Sequence, residues 1–177
     1  MGTGQDMKPI ESGSIEVLTF KEGLLSKVAH DLLLTLEQYR IESDGRRIEG
    51  EFRPESISVV GAMRRGVLDT GVLSDGDRRE IGVNIREKVL RTDRNPKITF
   101  AGRVARGDTR HRVVGPLTLA GASQEVAFDV DERDGRWSGE VELVPSRWGI
   151  APFKALLGAI KLQDRVIVRF DFPVIEL

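Results

Sequence analysis

Cysteine is absent from all 177 residues, which excludes disulfides, thiolate metal sites, thiol nucleophiles and thiol redox motifs together. Histidine occurs only at His30 and His111, too sparsely for a histidine metal centre. The acidic stretch from Asp69 to Glu80 also lacks the one-three-five oxygen spacing of a calcium loop, so no metal is expected. Aromatic residues are few, with seven Phe, two Trp and one Tyr. Acidic residues interleave with the arginines at Arg64-Arg65, Arg78-Arg79 and Arg103 to Arg112, so the sequence predicts no nucleic-acid platform of stacked rings on a basic stripe. A formal net charge of −1 leaves no global field toward nucleic acid or an anionic membrane. No apolar run approaches the roughly 20 residues of a membrane-spanning helix; the best are Leu32-Leu33-Leu34 and Ala155 to Ile160. The opening stretch Met1 to Lys8 has no apolar core of a secretory signal, so the expected location is cytoplasmic. A Gly-x-Ser-x-Gly elbow, a phosphate-binding loop and a dinucleotide fingerprint are missing too.

What is present reads as β structure. Hydrophobic residues make up 40% and charged residues 31%, ordinary for one globular domain of this length. Residues 1–13 read as a flexible tail and residues 14–177 as the folded unit. Ser14 to Phe20 places Ile15, Val17 and Thr19 on one face and Leu18 and Phe20 on the other. Val28 to Leu36 mixes helix-favouring composition with strand-like alternation and is assigned to a strand. Asp44-Gly45 signals a hairpin turn into Ile48, Gly50 and Phe52. Asp75 or Asp77 is the expected N-cap of one helix, Arg78 to Thr92, with Ile81, Ile85 and Val89 on a shared face. Beyond Pro96 a period of two runs through Ile98 and Phe100, Val113 and Leu117, Val126 and Phe128, then Trp137, Val141 and Leu143, and finally Val166 and Phe170. The predicted fold is all-β with one inserted α-helix, an antiparallel β-barrel of about eight strands, whose interior either fills with side chains or holds a small ligand.

One compact segment carries mixed chemistry: Ser26-Lys27-Val28-Ala29-His30-Asp31. Neighbours along a strand point to opposite faces, so a catalytic dyad of His30 with Asp31 competes with a structural histidine. His111, flanked by Arg110 and Arg112, is expected to face solvent.

Five segments in order resemble the YceI-like family of lipocalin-like, polyisoprenoid-associated bacterial proteins. They are Val28-Ala29-His30-Asp31-Leu32; Asn95-Pro96-Lys97-Ile98-Thr99-Phe100; Gly115-Pro116-Leu117-Thr118-Leu119-Ala120-Gly121-Ala122; Ser146-Arg147-Trp148-Gly149-Ile150; and Leu157 to Val166. The resemblance spans residues 14 to 174. It implies a lipocalin-like barrel that binds, transports or stores an apolar isoprenoid, a polyisoprenoid or quinone-type lipid, with no covalent cofactor and no enzymatic step. The implied lining is Leu34, Ile98, Phe100, Phe128, Val141, Leu143 and Phe170, with Trp148, Ile150, Phe153, Leu156 and Leu157 at a mouth or flap, and His30 as a polar contact. At roughly −0.3 kcal/mol per heavy atom, a chain of ~40 carbons reaches about −12 kcal/mol, a nanomolar affinity without hydrogen bonds. A small enzyme or stress-response factor using His30 and Asp31, and a ligand-free interaction domain with a filled barrel, stay open beside it. So does a homodimer through an edge strand or the helix.

Overall fold

The structure is a computed structural model describing residues 6–23, 29–155 and 160–174. In chain order the elements are β1 (Lys8–Pro9), β2 (Ser14–Lys21), β3 (Asp31–Leu36), β4 (Tyr39–Ser43), β5 (Arg47–Phe52), β6 (Ile57–Arg64) and β7 (Val67–Asp69). Helix α1 (Asp75–Asn84) follows and runs into a π-helical extension, Ile85–Leu90. Then come β8 (Ile98–Ala105), β9 (Arg110–Leu119), β10 (Ala122–Arg133), β11 (Arg136–Leu143), β12 (Lys154–Ala155) and β13 (Ile160–Pro173).

Antiparallel ladders join the strands in the order β1-β4-β5-β8-β9-β10-β11-β13-β2-β3-β6-β7, with β12 on β13. Thirteen strands among the described residues replace the eight expected. The ladder path curls into a half-barrel instead of closing, since it begins at β1 and ends at β7. The surplus comes from pieces too short to show a period. β1, β7 and β12 contain two or three residues each, and the chain breaks between β3 and β4 at Glu37-Gln38. Residues 8–10, expected in a loose tail, add to the sheet instead: Lys8 and Pro9 pair with Ser43 and Glu42, and Ile10 is buried in the core.

The turn between β4 and β5 forms where Asp-Gly predicted it. Asp44 Oδ1 accepts the Arg46 and Arg47 N–H groups at 2.9 and 2.7 Å, while Gly45 takes a positive φ of 79°. Those backbone donors, with the Arg47 guanidinium, hold the Asp44 carboxyl at about 2.

Helix α1 starts earlier than expected. Its cap is Ser74, whose Oγ accepts the Asp77 N–H at 3.1 Å while Asp77 returns a bond to the Ser74 N–H at 2.9 Å. Asp77 therefore closes a capping box and is not itself the cap. The helix and its extension lie against β6, to which Arg78 and Arg86 donate at the Val60 and Ile57 carbonyls. The π turn shifts the apolar face by one residue, so Ile81 and Ile85 are followed on the core by Leu90; Val89, the expected third member, borders the cavity beside it.

Candidate functional site

The inward face of the curled sheet and the helix surround a cavity of about 870 Å³, within the usual range of ligand sites. Leu34, Ile98, Phe100, Phe128, Val141, Leu143, Ile150, Phe153, Phe170 and His30 all border it. Trp148 does not: it lies behind the wall against Val126 and Leu143, only 2% exposed, and its Nε1 donates to the Leu117 carbonyl at 2.9 Å. The Gly149 N–H closes the turn Pro145–Trp148 by donating to the Ser146 carbonyl at 3.0 Å, with Gly149 at a left-handed φ of 76°. Leu156 and Leu157 lie outside the described residues. The sequence reading missed the contribution of the helix and its extension, whose Ile81, Ile85 and Leu90 line the same space, with Leu73 just before the cap.

The cavity stays hollow because of how its aromatics lie. Phe100, Phe128 and Phe170 form a chain of ring contacts, the first pair tilted with centroids 5.7 Å apart and the second edge-on at 5.5 Å. A Cβ on Gly102 would come within 2.6 Å of the Phe100 ring, one on Gly50 within 2.6 Å of Phe52, and one on Gly139 within 2.7 Å of Phe170. The tip of each of these rings packs over a glycine on the wall, in space that a Cβ would deny it. Phe100, Phe128 and Phe170 are only half-buried, so these aromatic side chains retain accessible surface that a filled barrel would have removed.

Several polar side chains border the cavity, Ser43, Asn84, Gln163 and Asp164 among them, and two further places stand out. At one, His111 is 2% exposed, which overturns its expected place in solvent. It shares strand parity with Val113, also buried, and that was the signal its flanking arginines obscured. His111 Nδ1 faces the Gly107 N–H at 3.3 Å and Nε2 lies 2.7 Å from Glu132 Oε2. Nδ1 is therefore the acceptor and Nε2 carries the proton. The same Glu132 oxygen accepts Trp137 Nε1 at 2.8 Å and lies 3.5 Å from the Arg106 guanidinium. The Trp137 and His111 donors hold the Glu132 carboxyl below its ordinary value. At the second place, Thr19 is 8% exposed and its Oγ1 has no partner among the described residues. It borders the cavity with His30.

Comparison with known proteins agrees with this architecture. The solved structure of Burkholderia cenocepacia BcnA matches with a TM-score of 0.62 and 13% identity, covering 90% of this chain and 94% of that one. A polyisoprenoid binding domain from Saccharophagus degradans, implicated in plant cell wall breakdown, matches at 0.57 with 10% identity over 92% and 94%. A Campylobacter jejuni YCEI protein matches at 0.53 with 13% identity over 89% and 91%. None of the curated proteins matches the sequence. The family model of the YceI-like domain matches residues 43–174. The chain belongs to the YceI-like family.

In this YceI-like protein the segments that carried the resemblance occupy structural joints. Asn95 to Phe100 leads from the helix into β8, and Gly115 to Ala122 is the β9–β10 hairpin, turning at Ala120 and Gly121 with φ of 50° and 78°. The wall formed by β2 and β3, including Thr19, His30 and Leu34, precedes the matched residues. A His30–Asp31 dyad does not converge here. His30 borders the cavity while Asp31 does not, and Asp31 Oδ1 accepts the Lys21 N–H at 2.8 Å. Ser26 and Lys27 lie outside the described residues. Among the described residues no helix is long and apolar enough to cross a membrane.

Proposed function

We propose that this protein binds an isoprenoid-type apolar lipid within the half-barrel, without covalent chemistry, and so stores or carries it. The observation that carries this reading is the cavity of about 870 Å³ walled by half-buried phenylalanines, of which Phe52, Phe100 and Phe170 pack over glycines. Burying apolar ligand surface there recovers the contacts and the hydrophobic free energy that the hollow forgoes. The kinship with a polyisoprenoid binding domain supports the ligand class. Ile98, Phe100, Phe128 and Phe170 form the tube, Ile150 and Phe153 its rim, and His30 supplies a polar contact.

Native mass spectrometry of gently purified protein, followed by organic extraction, tests the reading directly. A released species with a repeating isoprenoid mass is the expected result. Phe128→Arg places a charge in the tube and should abolish retention in a variant that still melts cooperatively. A protein that stays ligand-free after incubation with quinones and polyprenols would overturn the reading in favour of an interaction domain.

A further inference from the structure

Thr19 is the anomaly of the cavity. Strand alternation puts it on the inward face of β2 after Ile15 and Val17, with Leu32 of β3 on one side and Val166 of β13 on the other. Its hydroxyl is nine-tenths buried, faces apolar neighbours and lacks a hydrogen-bond partner among the described residues. A valine has the same shape and would fit this apolar setting without leaving an orphaned hydroxyl. His30 lies two residues before Leu32 and borders the same space, as do Gln163 and Asp164 of the adjoining β13; those two are engaged, Gln163 donating to the Lys21 carbonyl and Asp164 accepting the Ser146 N–H, whereas the Thr19 hydroxyl has no such partner among the described residues.

We infer that Thr19 and His30 form a subsite for an uncharged oxygen function on the bound lipid, a ring carbonyl or a terminal hydroxyl. This deepens the lipid-binding reading and rests on it. The charge inventory selects an uncharged group over a phosphate. Among the described residues that border the cavity, the cations are Lys88, on the helical extension, and Arg106, beside Glu132; neither is on β2, β3 or β13. The threonine donates to a carbonyl or accepts from a hydroxyl, and a neutral imidazole can take the complementary role. Such a ligand completes the bonding that the protein leaves open, whereas a pure hydrocarbon leaves the hydroxyl orphaned.

Displacement of N-phenyl-1-naphthylamine from the full chain tests this, with three competitors: geranylgeraniol, a menaquinone of the same prenyl length, and the parent hydrocarbon without oxygen. The wild type should prefer at least one oxygenated competitor over the hydrocarbon by about tenfold. Preference for the quinone alone or for the alcohol alone identifies which group is held. Thr19→Val should bring that preference to within about twofold and raise the melting midpoint by roughly 2–4 °C, because the orphaned hydroxyl is gone. Thr19→Ser, which restores a hydroxyl, should recover the preference. Equal affinity for all three competitors in the wild type, or a preference that survives Thr19→Val, overturns the subsite while leaving lipid binding intact. Failure of all three to displace the dye overturns the lipid reading itself, and the subsite with it.

Discussion

Two of the polar places on the cavity wall solve the same physical problem in opposite ways. Around Glu132 the buried donors find partners within the chain: Trp137 and His111 donate to one carboxylate oxygen, and Gly107 donates to the far nitrogen of the imidazole. Around Thr19 the hydroxyl has no partner among the described residues. A buried polar group completed by its own chain locks strands together, and here it ties β9, β10 and β11. A buried group left incomplete spends stability and invites completion by something else. A histidine borders the cavity at both places, so residue type alone does not distinguish the structural one from the ligand-facing one.

The largest effect that sharpens this contrast is expected at Glu132. Glu132→Leu strands the Trp137 and His111 donors in the interior and should cost about 2–4 kcal/mol in urea unfolding; a loss below about 0.5 kcal/mol would break the comparison, since that is the scale of ordinary surface substitutions. Acid comes next. Because the folded protein holds the Glu132 carboxyl below its usual 4.5 and the Asp44 carboxyl at about 2 against 3.8, both contribute stability that is complete above their unfolded values. That stability should fall as pH drops below about 4.5, Glu132 first, then Asp44 on the way toward 2. In Glu132→Gln the upper part of that decline should flatten, as read from midpoints between pH 6 and 2. Thr19→Val is the mirror image, a gain of about 1 kcal/mol from deleting a hydroxyl. The smallest effect is His30→Gln, with stability within about 0.5 kcal/mol of wild type; a larger loss would make His30 a structural histidine like His111.

Much of this was legible in the chain. The alternation from Ile98 to Phe170 specified the inward faces, and every described residue named for the lining borders the cavity except Trp148. Trp148 was misplaced because aromatic character says nothing about depth: its indole N–H needs a carbonyl and finds that of Leu117 behind the wall. His111 was misread for the converse reason, since the arginines on either side pointed outward by the same parity that turned it inward. The helix contribution was hidden by the π turn, which breaks the 3.6-residue period between Ile85 and Leu90. The short strands β1, β7 and β12 carry too few residues for any period to show.

The amino-acid sequence by itself determined what depends on local order: strand parity, the Asp44-Gly45 turn, the presence of one helix and membership of the YceI-like family. Tertiary structure alone decided what depends on meetings between distant residues. Gly139 makes room for the Phe170 ring of the neighbouring strand, and the donors gathered on Glu132 come from two other strands. That Thr19 finds no partner among the described residues is likewise a property of the assembled wall, because satisfaction of a buried polar atom is settled by what surrounds it in space.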